Sequence, residues 1–168
     1  MSGPNFHWLT DRLAVGGAFP AEEAANLARQ HGIAAVIDLR AEECDDEESL
    51  RAAGIDLLHL PTPDLRPATH EHLEQGVAFV RERLARGEKV LIHCQHGIGR
   101  SALLALCVLV DLGFEPLEAL RHAKGRREIV SPSRSQYEGW CGWLVSRGIE
   151  PPDYHSFGCI AYRHLAGG

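Results

Sequence analysis

Apolar residues along the chain fall into two patterns, continuous runs and stripes at helical spacing, and together these predict the architecture. The runs Ile33-Ala-Ala-Val-Ile-Asp-Leu39, Ile55-Asp-Leu-Leu-His-Leu60 and Lys89 to His93 are short and nearly unbroken, as in strands covered on both faces. Trp8 to Val15, followed by Gly16-Gly17, predicts two short strands around a turn at Thr10-Asp11. Pro20 opens a helix over Ala21 to Gln30, with Leu27 inward and Gly32 just past its end. Arg40 to Ser49 is an acidic loop leading into a short helix that ends near Gly54. Pro61 cuts the second long run, and Pro61 to Pro67 is irregular. Thr69, Glu71 and His72 open a helix to about Arg86, with Leu73, Val77, Val80 and Leu84 as its apolar stripe. Ala102 to Val110 is so apolar that a helix over 101–112 must be buried, and Gly113 ends it. Glu115-Pro116 starts a helix through about Lys124, and Ser133 to Ser146 forms the last clear one. Beyond Pro151-Pro152, Tyr154, Phe157, Ile160, Tyr162 and Leu165 are too many large apolar groups for a wholly disordered tail, while Gly158, Gly167 and Gly168 count against a helix.

Strands alternating with helices predict an α/β fold: a single domain with a mostly parallel central sheet flanked by helices. We expect that domain over 1–150, with a tail over 151–168 packed in part on it. At 168 residues, 45% apolar and 24% charged, the chain has a globular composition. A formal charge of -6 argues against nucleic acid or an anionic membrane as a general partner. No apolar stretch reaches the roughly 18 residues of a membrane span, and Met1 to Trp8 lacks the pattern of a secretory signal. Cys44, Cys94, Cys107, Cys141 and Cys159 are odd in number and widely spaced, which suggests neither zinc nor a disulfide framework. A cytoplasmic monomer without metal or organic cofactor is the expected state.

The chemistry concentrates in His93-Cys94-Gln95-His96-Gly97-Ile98-Gly99-Arg100-Ser101, a glycine-bearing loop between a strand and a helix. There the backbone N–H groups and the helix N-terminus make an anion site. Cys94 is the candidate nucleophile, since such a setting favours the thiolate. Arg100 offers a planar fork to two phosphate oxygens. Gln95, His96, Gly97, Ile98 and Gly99 line the anion, with Gly97 and Gly99 letting the loop curl. The loop lacks the Gly-Lys-Ser/Thr ending of a nucleotide site. Ser101 either donates to the Cys94 sulfur or caps the helix. His93 orders the loop through its ring, and His96 lies towards the cleft rim. Asp64, on a proline-edged loop at the same sheet edge, is the candidate general acid and base. Asp38 and Arg40 brace the loops as an ion pair. Gln136 either reaches the cleft to place water or lies on a helix surface. Arg121, Lys124, Arg126, Arg127 and Arg134 either guide an anionic substrate or, the preferred reading, form a solvated face.

This constellation resembles the cysteine-dependent protein tyrosine phosphatases, in their small atypical dual-specificity branch. The signature His-Cys-x5-Arg-Ser/Thr is met by His93, Cys94, Arg100 and Ser101. Leu13-Ala-Val-Gly-Gly17, Gly32 to Arg40 with Glu43, and the Asp64 loop follow the family's order over about residues 7–146. The resemblance implies a protein tyrosine phosphatase-like fold, a phosphocysteine on Cys94, phosphate binding by Arg100, Asp64 as catalytic acid, and no cofactor. Thr62-Pro63-Asp64 stands where larger enzymes carry Trp-Pro-Asp, and the tyrosine-bearing recognition loop of those enzymes has no counterpart. Lipid-directed relatives often place lysines inside the loop, whereas Gln95, His96 and Ile98 stand here. The expected substrate is a phosphorylated protein. The alternatives are a lipid or small-molecule phosphate ester, or sulfur transfer or arsenate reduction on the same cysteine.

Overall fold

The computed structural model describes residues 4–166, so Met1 to Gly3 and Gly167-Gly168 lie outside the described residues. Five strands form one sheet: β1 (Phe6–Trp8), β2 (Leu13–Gly16), β3 (Ile33–Arg40), β4 (Asp56–Thr62) and β5 (Lys89–His93), in the order β1-β2-β5-β3-β4. Only β1 runs antiparallel, to β2; the other pairings are parallel. β5, with Val90 to His93 all buried, therefore lies in the middle, between β2 and β3. Its carboxyl end delivers Cys94 beside the ends of its neighbours.

Helices cover both faces. On one side α1 (Ala24–His31) and α2 (Glu47–Ala52) pack Leu27 and Leu50 against Ala14, Val36 and Leu91. Gly32 ends α1 in the left-handed region at φ 69°. On the other side lie α3 (His70–Ala85), α4 (Arg100–Asp111), α5 (Pro116–Arg126) and α6 (Arg134–Ser146), around Val15, Ile37, Leu39 and Ile92. Thr69 caps α3, as the sequence predicts. Every residue of α4 from Arg100 to Val110 is buried, because the helix sits between the sheet and its neighbours.

Two elements differ from expectation. β4 runs through Pro61 to Thr62. A proline is tolerated there because β4 is an edge strand, and the residue falls where the register with β3 shifts between Asp38 and Arg40. The tail is helical, with α7 (Tyr154–Ala161) and a short α8 (Arg163–Ala166). Asp153 caps α7 by accepting from Ser156 N, and this together with burial of Phe157 and Ala161 outweighs the helix-weakening Gly158. Tyr162 Oη donates to Pro132 O at 2.6 Å, tying the tail to the segment before α6.

Lys124 completes that attachment. It is fully buried, and its ammonium donates to Glu128 O, Ala161 O and His164 Nδ1. Lys124→Met leaves those acceptors without their donor and is expected to cost about 1–3 kcal/mol. Thermal unfolding should register a Tm several degrees lower; an unchanged Tm would show that the clasp contributes nothing.

Candidate active site

The loop from β5 to α4 is wound with its carbonyls outward. Cys94 O accepts from His93 Nδ1 at 3.1 Å, Gln95 O from Ala18 N at 3.0 Å, and Ile98 O from Ser131 N at 2.9 Å. His96 O and Gly97 O both accept from the Arg127 guanidinium at 2.9 Å, and Gly99 O from Leu103 N at 2.8 Å. A peptide N–H points opposite its carbonyl. The N–H groups from Gln95 to Arg100 accordingly face the inside of the loop, and they have no protein acceptor among the described residues. Gly97 makes the winding possible. Its φ is 69°, and a Cβ there would lie 2.4 Å from the Gly16 carbonyl carbon.

Within this cradle Cys94 Sγ is buried 3.2 Å from Ser101 Oγ. Gly99 takes the N-cap position of α4, so Ser101 lies inside the helix and is not its cap. Its hydroxyl is aimed at the sulfur.

Arg100 is held from behind by a residue that the sequence reading missed. Its two terminal nitrogens donate to the two carboxylate oxygens of Glu42 at 2.7 and 2.8 Å, and Nη1 also reaches Thr62 O at 2.9 Å. A guanidinium has two usable edges. Glu42 occupies the end-on edge, which leaves the side-on edge of Nε and Nη2. Nε is buried and has no hydrogen-bond partner, with Asp64 Oδ1 3.7 Å away. Two convergent donors are thus free for an anion. The hydrogen bond to Arg100 is the main reason the Glu42 carboxyl is pulled down to about 2, and Glu42 in turn raises Arg100.

Asp38 and Arg40 form the predicted brace, within a larger buried network. Arg40 donates to both oxygens of Asp38, to Asp45, to Glu43 and to Gln95 Oε1. The Gln95 side chain is therefore turned back to Arg40, and only its N–H can serve an anion. His93 Nε2 meets Asp45 Oδ2 at 2.5 Å, and its ring packs on Phe19 at 4.9 Å between centroids. Glu42 and Asp45 read in the sequence only as part of an acidic loop. Their position just past the end of β3, next to β5, was the available signal.

The open side is a pocket of about 150 Å³. Cys94, His96 and Ile98 line it from the loop, Asp64 and Leu65 from the segment after β4, Ser131 from the segment before α6, and Gln136 from the first turn of α6. Leu65 holds φ at 66°, a strained value for a bulky residue. Two hydrogen bonds maintain it: Ser133 Oγ donates to Leu65 O at 2.8 Å and Gln136 Nε2 to Arg66 O at 3.2 Å. Asp64 is thereby kept at the rim. Gln136 is buried and not on a helix surface, and its amide oxygen caps Ser133 N. The basic cluster divides: Arg121, Arg126 and Arg134 are exposed, whereas Lys124 and Arg127 are buried, so it is no single solvated face.

All five cysteines are free. Cys44 is largely exposed, and partial desolvation followed by the charges of Asp38 and Asp45 pushes its thiol upward, away from a reactive thiolate.

The family described as the dual specificity phosphatase catalytic domain matches residues 17–143. Human dual specificity protein phosphatase 12 is 31% identical over 130 residues, 76% of this chain and 37% of that protein. Mouse phosphatidylglycerophosphatase and protein-tyrosine phosphatase 1 is 28% identical over 136 residues, 76% of this chain and 70% of that protein. The chain thus spans about a third of one of these relatives and most of the other. Among solved structures, Tk-PTP in its active form superimposes with a TM-score of 0.78 at 26% identity, covering 86% of this chain and 99% of that one. PTPMT1 in complex with PI(5)P gives 0.78 at 24% identity, covering 85% and 98%, a likeness of fold.

Proposed function

The chain belongs to the dual specificity phosphatase family, and on that premise we propose that it hydrolyses phosphomonoesters of proteins, phosphotyrosine foremost, through a phosphocysteine on Cys94. The observation that carries this reading is the outward-turned loop: inward N–H groups and the free edge of Arg100 surround one buried sulfur. Cys94 thiolate attacks phosphorus in line, forming the S–P bond as the P–O bond breaks. Asp64 in its acid form gives its proton to the departing oxygen. Water then attacks phosphorus and loses a proton to the Asp64 carboxylate. The S–P bond breaks, the hydroxyl of Ser101 donates to the leaving sulfur, and inorganic phosphate departs. His93 acts on the loop, and Gln136 holds the acid segment while lining the pocket.

Asp64→Asn tests the acid. It should lower kcat by about 10²–10⁴-fold for a poor leaving group, and far less for an activated aryl ester that needs no proton. An equal loss on both esters, or none, would reassign the acid. Turnover should persist in a chelator.

A second reading, a phospholipid or small-molecule phosphatase, is favoured by one observation: a relative whose name includes phosphatidylglycerophosphatase. Against it, no lysine stands inside the loop. Turnover of phosphopeptides, phosphoinositides, phosphatidylglycerophosphate and soluble esters side by side decides between them. Sulfur transfer has no use for a proton donor at Asp64. Among the described residues no helix is long and apolar enough to cross a membrane. We place the protein in a reducing, cytoplasmic setting because its mechanism requires a free thiolate.

A further inference from the structure

Three arginines are buried around the Cys94 loop, and one is unlike the others. Arg40 faces Asp38, Asp45 and Glu43, and Arg100 faces Glu42 and Asp64. Arg127, only 1% exposed, has neutral partners alone. Nε donates to Gly97 O, Nη2 to His96 O and Asn5 Oδ1, and Nη1 to His7 Nδ1, all at 2.9 Å. No carboxylate lies within 4.0 Å of it among the described residues. A buried guanidinium without a counter-ion is costly. Burial lowers the Arg127 pKa, and what its guanidinium grips is the outer, carbonyl side of the Cys94 loop.

We propose that Arg127 is a positioning residue for the phosphoryl site, turning the N–H groups of Gly97 and Ile98 onto the anion. The geometry follows from the peptide bond. A guanidinium that grips the carbonyls of His96 and Gly97 fixes the two following N–H groups on the opposite side, inside the cradle. It also polarises those peptides so that their hydrogens are more positive. The fit is close, since a Cβ on Gly97 would come within 2.7 Å of Arg127 Nη2. Asn5 and His7, at the exposed start of β1, hold the guanidinium from the far side. His7 accepts through Nδ1 and so is neutral in this contact; burial first and Arg127 second hold its pKa down.

The assignment rests on the phosphatase reading, and one experiment separates the two. Arg127→Gln and Arg127→Lys are compared with wild type in three measurements: inhibition by inorganic phosphate, kcat and KM for an aryl phosphate, and the pH profile of Cys94 alkylation by iodoacetamide. Ser101 Oγ meets the Cys94 sulfur, His93 meets the Cys94 carbonyl, and Arg100 and Arg127 are the cations close enough for the charge of Cys94 to act on them. The titratable groups that interact with Arg127 are Cys94 and His7. Arg127→Gln is expected to slow alkylation at pH 6 about tenfold and to lower kcat/KM about 10²-fold. Arg127→Lys keeps the charge but cannot hold both carbonyls, so it should restore neither phosphate affinity nor the alkylation rate. Wild-type alkylation and phosphate inhibition in a folded Arg127→Gln would overturn the proposal. If that variant does not fold, Asn5→Ala with His7→Ala carries the test from the exposed side: both readouts must move in the same direction, and unchanged values overturn it. A wild-type protein that neither turns over aryl phosphate nor binds phosphate would instead overturn the phosphatase reading.

Discussion

Cys94→Ser is expected to lower turnover of an aryl phosphate by on the order of 10⁴–10⁶-fold, the scale seen when a covalent nucleophile is removed. The substitution changes one atom in a buried position 3.2 Å from Ser101 Oγ, and leaves the outward carbonyls and the Arg100 edge untouched. A serine hydroxyl is scarcely ionised near neutral pH, and the group that meets this side chain, the Ser101 hydroxyl, is no base. Asp64, at the rim beside Arg100, is assigned to the leaving group. Binding should survive, because the N–H cradle and Arg100 supply it, so the variant should hold a phosphorylated substrate without releasing phosphate. Two readouts check this. Acid-quenched wild type should carry a phosphoryl group on Cys94 that the variant lacks, and the variant should be inhibited by phosphate as wild type is. Turnover above a tenth of wild type would remove Cys94 from the mechanism.

The ease of reading that nucleophile has a physical origin. Cys94, Gly97, Gly99, Arg100 and Ser101 are neighbours in the chain, so strand, loop and helix N-terminus bring them together whatever the rest of the fold does. The helices were legible for the same reason: the stripe of α3 and the all-apolar face of α4 are local patterns. Glu42 and Arg127 were not legible. They meet the loop across 58 and 31 positions, through a strand order that hydrophobic periodicity does not encode. An acidic run looks like a plain loop, and a basic run like a solvated face, until the sheet edge that folds them inward is known. Pro61 shows the converse: a local rule against proline in strands gave way because β4 sits at an edge and shifts register there. The tail turned on Asp153, whose cap and the burial of Phe157 outweighed a glycine.

Arg100→Lys is expected to lower kcat/KM by about 10³-fold or more, as loss of a transition-state arginine does in phosphoryl transfer. The substitution keeps one positive charge, so any Coulombic role survives; what it loses is shape. Arg100 spends its end-on edge on Glu42 and Thr62 and keeps Nε and Nη2 for two phosphoryl oxygens at once. A single ammonium cannot satisfy the Glu42 carboxylate and bridge two oxygens together. The loss should fall on kcat as well as KM, since equatorial charge is redistributed as the P–O bond breaks. Glu42→Gln is the companion measurement. The amide keeps the shape of the carboxylate but can accept through only one atom, so Arg100 loses one of its two anchors and activity should fall by less than in Arg100→Lys. The sign of the pH effect is fixed by Glu42. Its carboxyl is lowered from 4.5 to about 2 by the hydrogen bond to Arg100, so the pair is fully formed above pH 4.5 and is lost only as pH falls through about 2. Between pH 5 and 8 the acid limb of the rate profile cannot belong to Glu42, and Glu42→Gln should leave its midpoint in place. Arg100→Lys within tenfold of wild type would show that the free edge is not where phosphate binds.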